Sequence, residues 1–235
     1  MMGKRAVISG KMYETLCQKA CMRMYAKSCR VSDIAGSSSK RDLTIDSSTE
    51  SAGIEIKRFT SPSWGETSIK INNGFWVCSN RPRPRQITSV IEQHANECDD
   101  EESFLNLLNS SEDLKGYRSI ADLKDSLLIE TEYKVTLDSD HRYINDYYIS
   151  RGVNYIQIEK KGLYRLGSEQ PLFSEDIPLF QRQVSLRFRV KKNRNSRFSA
   201  IAVFSPMNLS KLEKSPYSID GKNGFIFPSA PSEHV

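Results

Sequence analysis

The chain has 235 residues, 38% of them hydrophobic and 27% charged, with 34 basic against 29 acidic side chains and a net charge of +5. That is the balance of one folded domain, or a domain with a lobe, and no run of eighteen apolar residues offers a membrane span. Three histidines and five cysteines without a regular framework argue against a histidine-based hydrolase, a zinc site and a disulfide scaffold, and fit the reducing cytoplasm.

Gly10 to Arg30 read as a first helix. Met12, Leu16, Ala20 and Met24 recur every four residues, Tyr13 and Cys17 widen the stripe, and Lys19, Arg23, Lys27 and Arg30 reach solvent. Glu14 falls in the expected first turn, where the helix dipole favours an acid. A Gly-Ser loop follows, Ile34 to Lys40. The Ser38 hydroxyl and the Lys40 ammonium suit a phosphate backbone; a plain flexible turn reads equally well.

Two short strands come next, Lys40 to Asp46 and Gly53 to Arg58, joined by the polar link Ser47 to Ala52. On the second, Glu55 and Lys57 lie two apart and share a face, while Ile54 and Ile56 share the other. Asp42 belongs to the neighbouring strand. Two such carboxylates can hold Mg²⁺, and a nearby lysine can steer or deprotonate the attacking water. That chemistry cuts phosphodiesters. The spacing recurs in Asp146, Glu159 and Lys161, beside a Lys-Lys-Gly turn and without the preceding hairpin, and the first copy is the stronger candidate.

Thr67 to Ile71 and Gly74 to Cys78 read as a hairpin about Asn72-Asn73-Gly74, because Asn-Gly adopts the positive-φ pair that tight hairpin turns need. In Arg81-Pro82-Arg83-Pro84-Arg85 alternating proline keeps three guanidiniums on an extended segment, suited to phosphates or guanine edges, or simply to a linker. Ile87 to Asn96, Glu101 to Leu108 and Ile120 to Ile129 read as helices. From Glu132 the pattern turns to strands: Tyr133 to Leu137, Tyr155 to Ile158, Val184 to Lys191 and Phe198 to Phe204. Arg187, Arg189 and Lys191 share a strand face and lead into the basic loop Lys192, Arg194 and Arg197, which can enter a DNA groove or remain a solvated edge. The tail from Gly221 reads as peripheral chain.

Asp42, then Gly53-Ile54-Glu55-Ile56-Lys57 with twelve residues between the acids, resembles the motif of the PD-(D/E)xK nuclease superfamily, with Arg41 standing where the family has proline. The resemblance implies an α/β fold, a mixed central sheet flanked by helices (a restriction-endonuclease-like core) with a β-rich C-terminal portion. Residues 1–130 would form the nuclease core. Residues 131–235 would complete the sheet and contribute DNA recognition. It also implies Mg²⁺ as cofactor, with Asp42 and Glu55 as ligands, Glu14 joining them from the helix, and Lys57 positioning the water. Ser38, Lys40, Arg81, Arg83, Arg85, Arg187, Arg189, Lys192, Arg194 and Arg197 are the candidates for DNA contact. The expected function is a Mg²⁺-dependent endonuclease on double-stranded DNA, of type II restriction-endonuclease character, acting as a homodimer. The alternatives are a repair, junction-resolving or phage nuclease of the same fold, and a non-catalytic nucleic-acid-binding protein.

Overall fold

A computed structural model of the chain describes residues 2–33, 41–79, 84–98, 132–137, 142–192, 198–222 and 224–230. In chain order the elements are helix α1 (Met2–Tyr25), strands β1 (Arg30–Asp33), β2 (Leu43–Asp46), β3 (Ser51–Lys57), β4 (Gly65–Asn72) and β5 (Phe75–Cys78), helix α2 (Arg85–Glu97), strand β6 (Glu132–Thr136), helix α3 (Tyr143–Ile149), and strands β7 (Tyr155–Ile158), β8 (Gly162–Arg165), β9 (Val184–Lys192) and β10 (Phe198–Pro206). The architecture is mixed α/β with two sheets. The chain forms two compact units, Met1–Ser61 with Asn145–Arg182 and Asn208–Val235, and Pro62–Ile144 with Gln183–Met207. This interleaving runs across the boundary expected between residues 130 and 131. Its physical origin is β-pairing at long range: Ile54 of β3 lies opposite Tyr155 of β7.

The first unit holds the sheet β1-β2-β3-β7-β8. The first three strands run antiparallel, β3 and β7 run parallel, and β8 returns antiparallel to β7. Strand alternation divides its residues. Leu43, Ile45, Ala52, Ile54, Ile56, Tyr155 and Leu163 turn to one face, where they pack with Tyr13, Cys17, Cys21 and Tyr25 of α1. Here the expected helix stripe is shifted by one residue. Met12, Leu16 and Met24 are exposed at 68%, 39% and 57%, and the buried stripe is Tyr13, Cys17, Cys21, Tyr25. Both stripes repeat every four residues, so periodicity alone does not choose between them. Hydrogen-bonding partners do: the Tyr13 hydroxyl donates to Asp220 and the Tyr25 hydroxyl to the Pro228 carbonyl. The two small thiols between them fill the rest of the contact. Burial pushes both thiols well above the ordinary cysteine range, which keeps them neutral.

Those partners also correct the expectation of a peripheral tail. Ile219 and Asp220 are buried, and Phe227 and Ala230 pack against the α1 core. Gln157 ties the segment in, donating to Ser218 and Tyr13 and accepting from the Ile219 amide. Helix α1 also begins earlier than expected, at Met2. Glu14 therefore sits mid-helix, beyond the first turn where a dipole argument applies.

The second unit holds the antiparallel sheet β5-β4-β10-β9-β6. Its β4–β5 hairpin turns on Asn73 and Gly74, both at positive φ (52° and 82°), as the Asn-Gly signal requires. Helix α2 buries Ile87, Ile91 and Ala95. It is fastened to β5 by Asn96, which accepts the Trp76 amide at 2.9 Å, and by Glu92, which accepts the Cys78 amide at 2.9 Å. Arg85 is the first residue of this helix, after Pro84 at φ −53°. It leaves the extended segment expected of it, because proline presets the entry into a helix as readily as it stiffens an extended run.

Candidate functional site

On the other face of the first sheet, β3 presents Gly53, Glu55 and Lys57. Asp42 stands one residue before β2, and the register Leu43 to Ile54 carries it opposite Glu55. Its own amide donates to the Ile54 carbonyl at 3.1 Å, and its carboxylate accepts the Ile56 amide at 2.8 Å. Both contacts fix the carboxyl against the strand. Lys57 Nζ lies 2.6 Å from Glu55 Oε1. Over the lysine stands α3: Lys57 Nζ is 5.8 Å from the centroid of the Tyr148 ring. Thus Asp42, Glu55 and Lys57 are gathered as the strand reading expects, and Tyr148 is an addition that the strand pattern does not contain.

The electrostatics are those of two carboxyls and one ammonium crowded together with little water. Burial, and then the Glu55 carboxylate beside it, push the Asp42 carboxyl up to about 7 against the opposing pull of Lys57 and the Ile56 amide. Burial by itself would lower the Lys57 ammonium. The Glu55 carboxylate 2.6 Å away, with Asp42 beside it, outweighs it and holds Lys57 above its ordinary value, so it stays charged. Tyr148 is raised well above the usual tyrosine value, first by burial, and stays neutral. Two acids this close, one of them reluctant to ionise, carry a charge that a divalent cation would relieve. One Asp42 oxygen is engaged by the Ile56 amide and one Glu55 oxygen by Lys57, leaving one oxygen on each. Two carboxylate oxygens with the remaining positions hydrated is a donor set that suits Mg²⁺.

Glu14, half-buried on α1, adds to the upward push on Asp42 as the smallest of its causes. Among the described residues no group of three or more His, Cys, Asp or Glu side chains is arranged to enclose a metal ion.

The glycine of the motif has a packing reason. A Cβ on Gly53 would come within 2.2 Å of the Gly152 carbonyl oxygen, and 3.0 Å from Arg41 Cδ. Asn154 brackets the same residue, accepting the Gly53 amide at 2.9 Å and donating its own amide to the Gly53 carbonyl at 2.8 Å. This joins β3 to the chain leaving α3. Arg41, the residue before Asp42, reaches the Gly152 carbonyl at 3.4 Å.

The second copy of the motif is engaged elsewhere. Glu159 pairs with Arg58 at 3.2 Å, and Lys161 Nζ donates to the main-chain carbonyls of Ser210 and Leu212. Of the basic candidates, Arg187 and Arg189 are half-buried on one face of β9, and Arg187 donates to the Pro62 carbonyl. Arg85 is exposed at the start of α2. Lys192 ends β9, and Ser38, Lys40, Arg81, Arg83, Arg194 and Arg197 lie outside the described residues.

No helix among the described residues is long and apolar enough to cross a membrane. Comparison with known proteins gives no matching family model, no matching curated protein and no matching solved structure.

Proposed function

We propose that the chain is a Mg²⁺-dependent endonuclease that hydrolyses phosphodiester bonds in double-stranded DNA, of the PD-(D/E)xK kind and type II restriction-endonuclease character. The observation that carries the reading is the convergence of Asp42, Glu55 and Lys57 on one face of a mixed sheet with a helix on either side. Each residue has a separate role. Asp42 and Glu55 hold the cation, which supplies Lewis-acid activation of water when bound. Lys57, permanently charged, orients the attacking water and offsets charge building on the phosphate oxygens. The Ile56 amide keeps Asp42 pointed at the site through the reaction. Arg187 and Arg189, set two apart on β9 of the second unit, are the described residues proposed to meet the DNA backbone.

The test is incubation of the purified protein with a complex genomic DNA and Mg²⁺, with EDTA in parallel. Discrete fragments that vanish with EDTA support a site-specific endonuclease. Preference for branched substrates makes the protein a junction-resolving enzyme. Retardation of DNA without cutting overturns the catalytic reading and leaves a binding protein.

A further inference from the structure

The lysine of this site carries a problem of geometry. Its ammonium sits at the end of four rotatable methylenes and is 2.6 Å from Glu55 Oε1. A cation that draws on the Glu55 carboxylate weakens that pairing at the moment when Lys57 is needed. A second hold must then keep the ammonium from swinging to solvent. A neutral aromatic face provides one, because it attracts an ammonium without competing for the metal. Tyr148 is placed to do this. Its ring is fully buried, with its centroid 5.8 Å from Lys57 Nζ.

The helix that carries the ring is fastened in place. The Tyr148 carbonyl accepts the amides of Arg151 and Val153 at 2.9 and 3.1 Å. Tyr147 packs against it edge-on at 5.2 Å. One turn earlier, Asn145 anchors the helix by donating to the carbonyls of Leu166 and Phe180 at 2.7 and 2.9 Å.

We propose that Tyr148 is a positioning residue of this site, whose buried ring face holds the Lys57 ammonium toward the reacting phosphate independently of Glu55. The proposal rests on the nuclease reading above and adds to it a residue that the motif lacks. Its main alternative is that Tyr148 is only a core side chain of α3.

Two measurements on the full-length chain separate these. In the first, single-turnover cleavage of genomic DNA with Mg²⁺ is compared for wild type, Tyr148→Phe and Tyr148→Leu, together with duplex affinity in EDTA. A misplaced group costs about tenfold to a hundredfold in rate. Tyr148→Leu is expected to lose that much with its DNA affinity unchanged, and Tyr148→Phe, which keeps the ring face, to recover most of the loss. In the second, metal-free protein labelled with ¹³Cε-lysine is examined by NMR, with the Lys57 signal assigned by its disappearance in Lys57→Arg. Its ring-current displacement should persist in the Phe variant and vanish in the Leu variant. If Leu does not fold, Tyr148→Met, nearer in volume, takes its place. A Leu or Met variant that cuts at the wild-type rate, a Phe variant as impaired as Leu, or an unmoved Lys57 signal overturns the proposal. Absence of cutting by the wild type overturns the nuclease reading instead, and the NMR comparison then decides the Tyr148–Lys57 contact alone.

Discussion

Replacing Asp42 by asparagine should stabilise the metal-free protein, and should do so increasingly as pH rises from about 4 to about 7. Asp42 titrates at about 7 in the fold against 3.8 unperturbed. An acid whose folded pKa is raised contributes its full share of stability below the unfolded value. That share is lost as pH rises from about 4 through about 7. Three pKa units set a ceiling of about 4 kcal/mol on the strain of ionising it in place. Asparagine keeps an oxygen for the Ile56 amide and turns an N–H₂ toward Glu55, replacing repulsion with a hydrogen bond. About half the ceiling, roughly 2 kcal/mol, is a reasonable expectation, which corresponds to about 4–8 °C in Tm for a chain of this size. Both tryptophans, Trp64 and Trp76, belong to the second unit. The assay is therefore hydrogen exchange of first-unit peptides, including β3, in EDTA at pH 5 and pH 8. The gain of Asp42→Asn over wild type should be large at pH 8 and smaller at pH 5. Added Mg²⁺ should close the gap at pH 8 by stabilising only the wild type. An equal effect at both pH values, or destabilisation at pH 8, would refute the claim that Asp42 is an unrelieved anion at this site.

Glu55→Gln should abolish Mg²⁺-dependent cutting while leaving duplex binding in EDTA intact or stronger, measured by gel cleavage and fluorescence titration. Lys57→Ala should slow single-turnover cleavage by about two orders of magnitude, the worth of roughly 3 kcal/mol of transition-state contact, with its circular dichroism unchanged. A twofold effect would make the Lys57–Glu55 pair an ordinary ion pair. Gly53→Ala should destabilise the first unit, because backbone at 2.2 Å must move to admit the methyl group; a melting temperature equal to wild type would show that the close approach relaxes freely. Arg189→Ala should weaken binding alike on all sequences and lower the salt slope by about one unit, read from titrations at two salt concentrations.

Local chemistry made much of this fold legible in the sequence. Ile54, Glu55, Ile56 and Lys57 alternate, so a strand had to send the charges one way and the isoleucines the other. Asn73-Gly74 had to turn, because few other pairs accept two positive φ values at little strain. The four-residue repeat in α1 had to make an amphipathic helix. Which of two adjacent stripes was buried was another matter, for the Tyr13 and Tyr25 hydroxyls donate to a segment some 200 residues further along, and Tyr13 accepts from the also distant Gln157 side chain. The same holds for the site. The motif brought Asp42, Glu55 and Lys57 together through a hairpin of neighbouring strands. Tyr148 arrives from a seven-residue helix, α3, too short for periodicity to announce. Only the parallel pairing of β3 with β7 sets that helix over Lys57. Pairing between distant strands depends on surfaces complementary in three dimensions, and those surfaces leave no local period in the chain. The sequence therefore determined the acids and the lysine, and the tertiary structure decided what surrounds them.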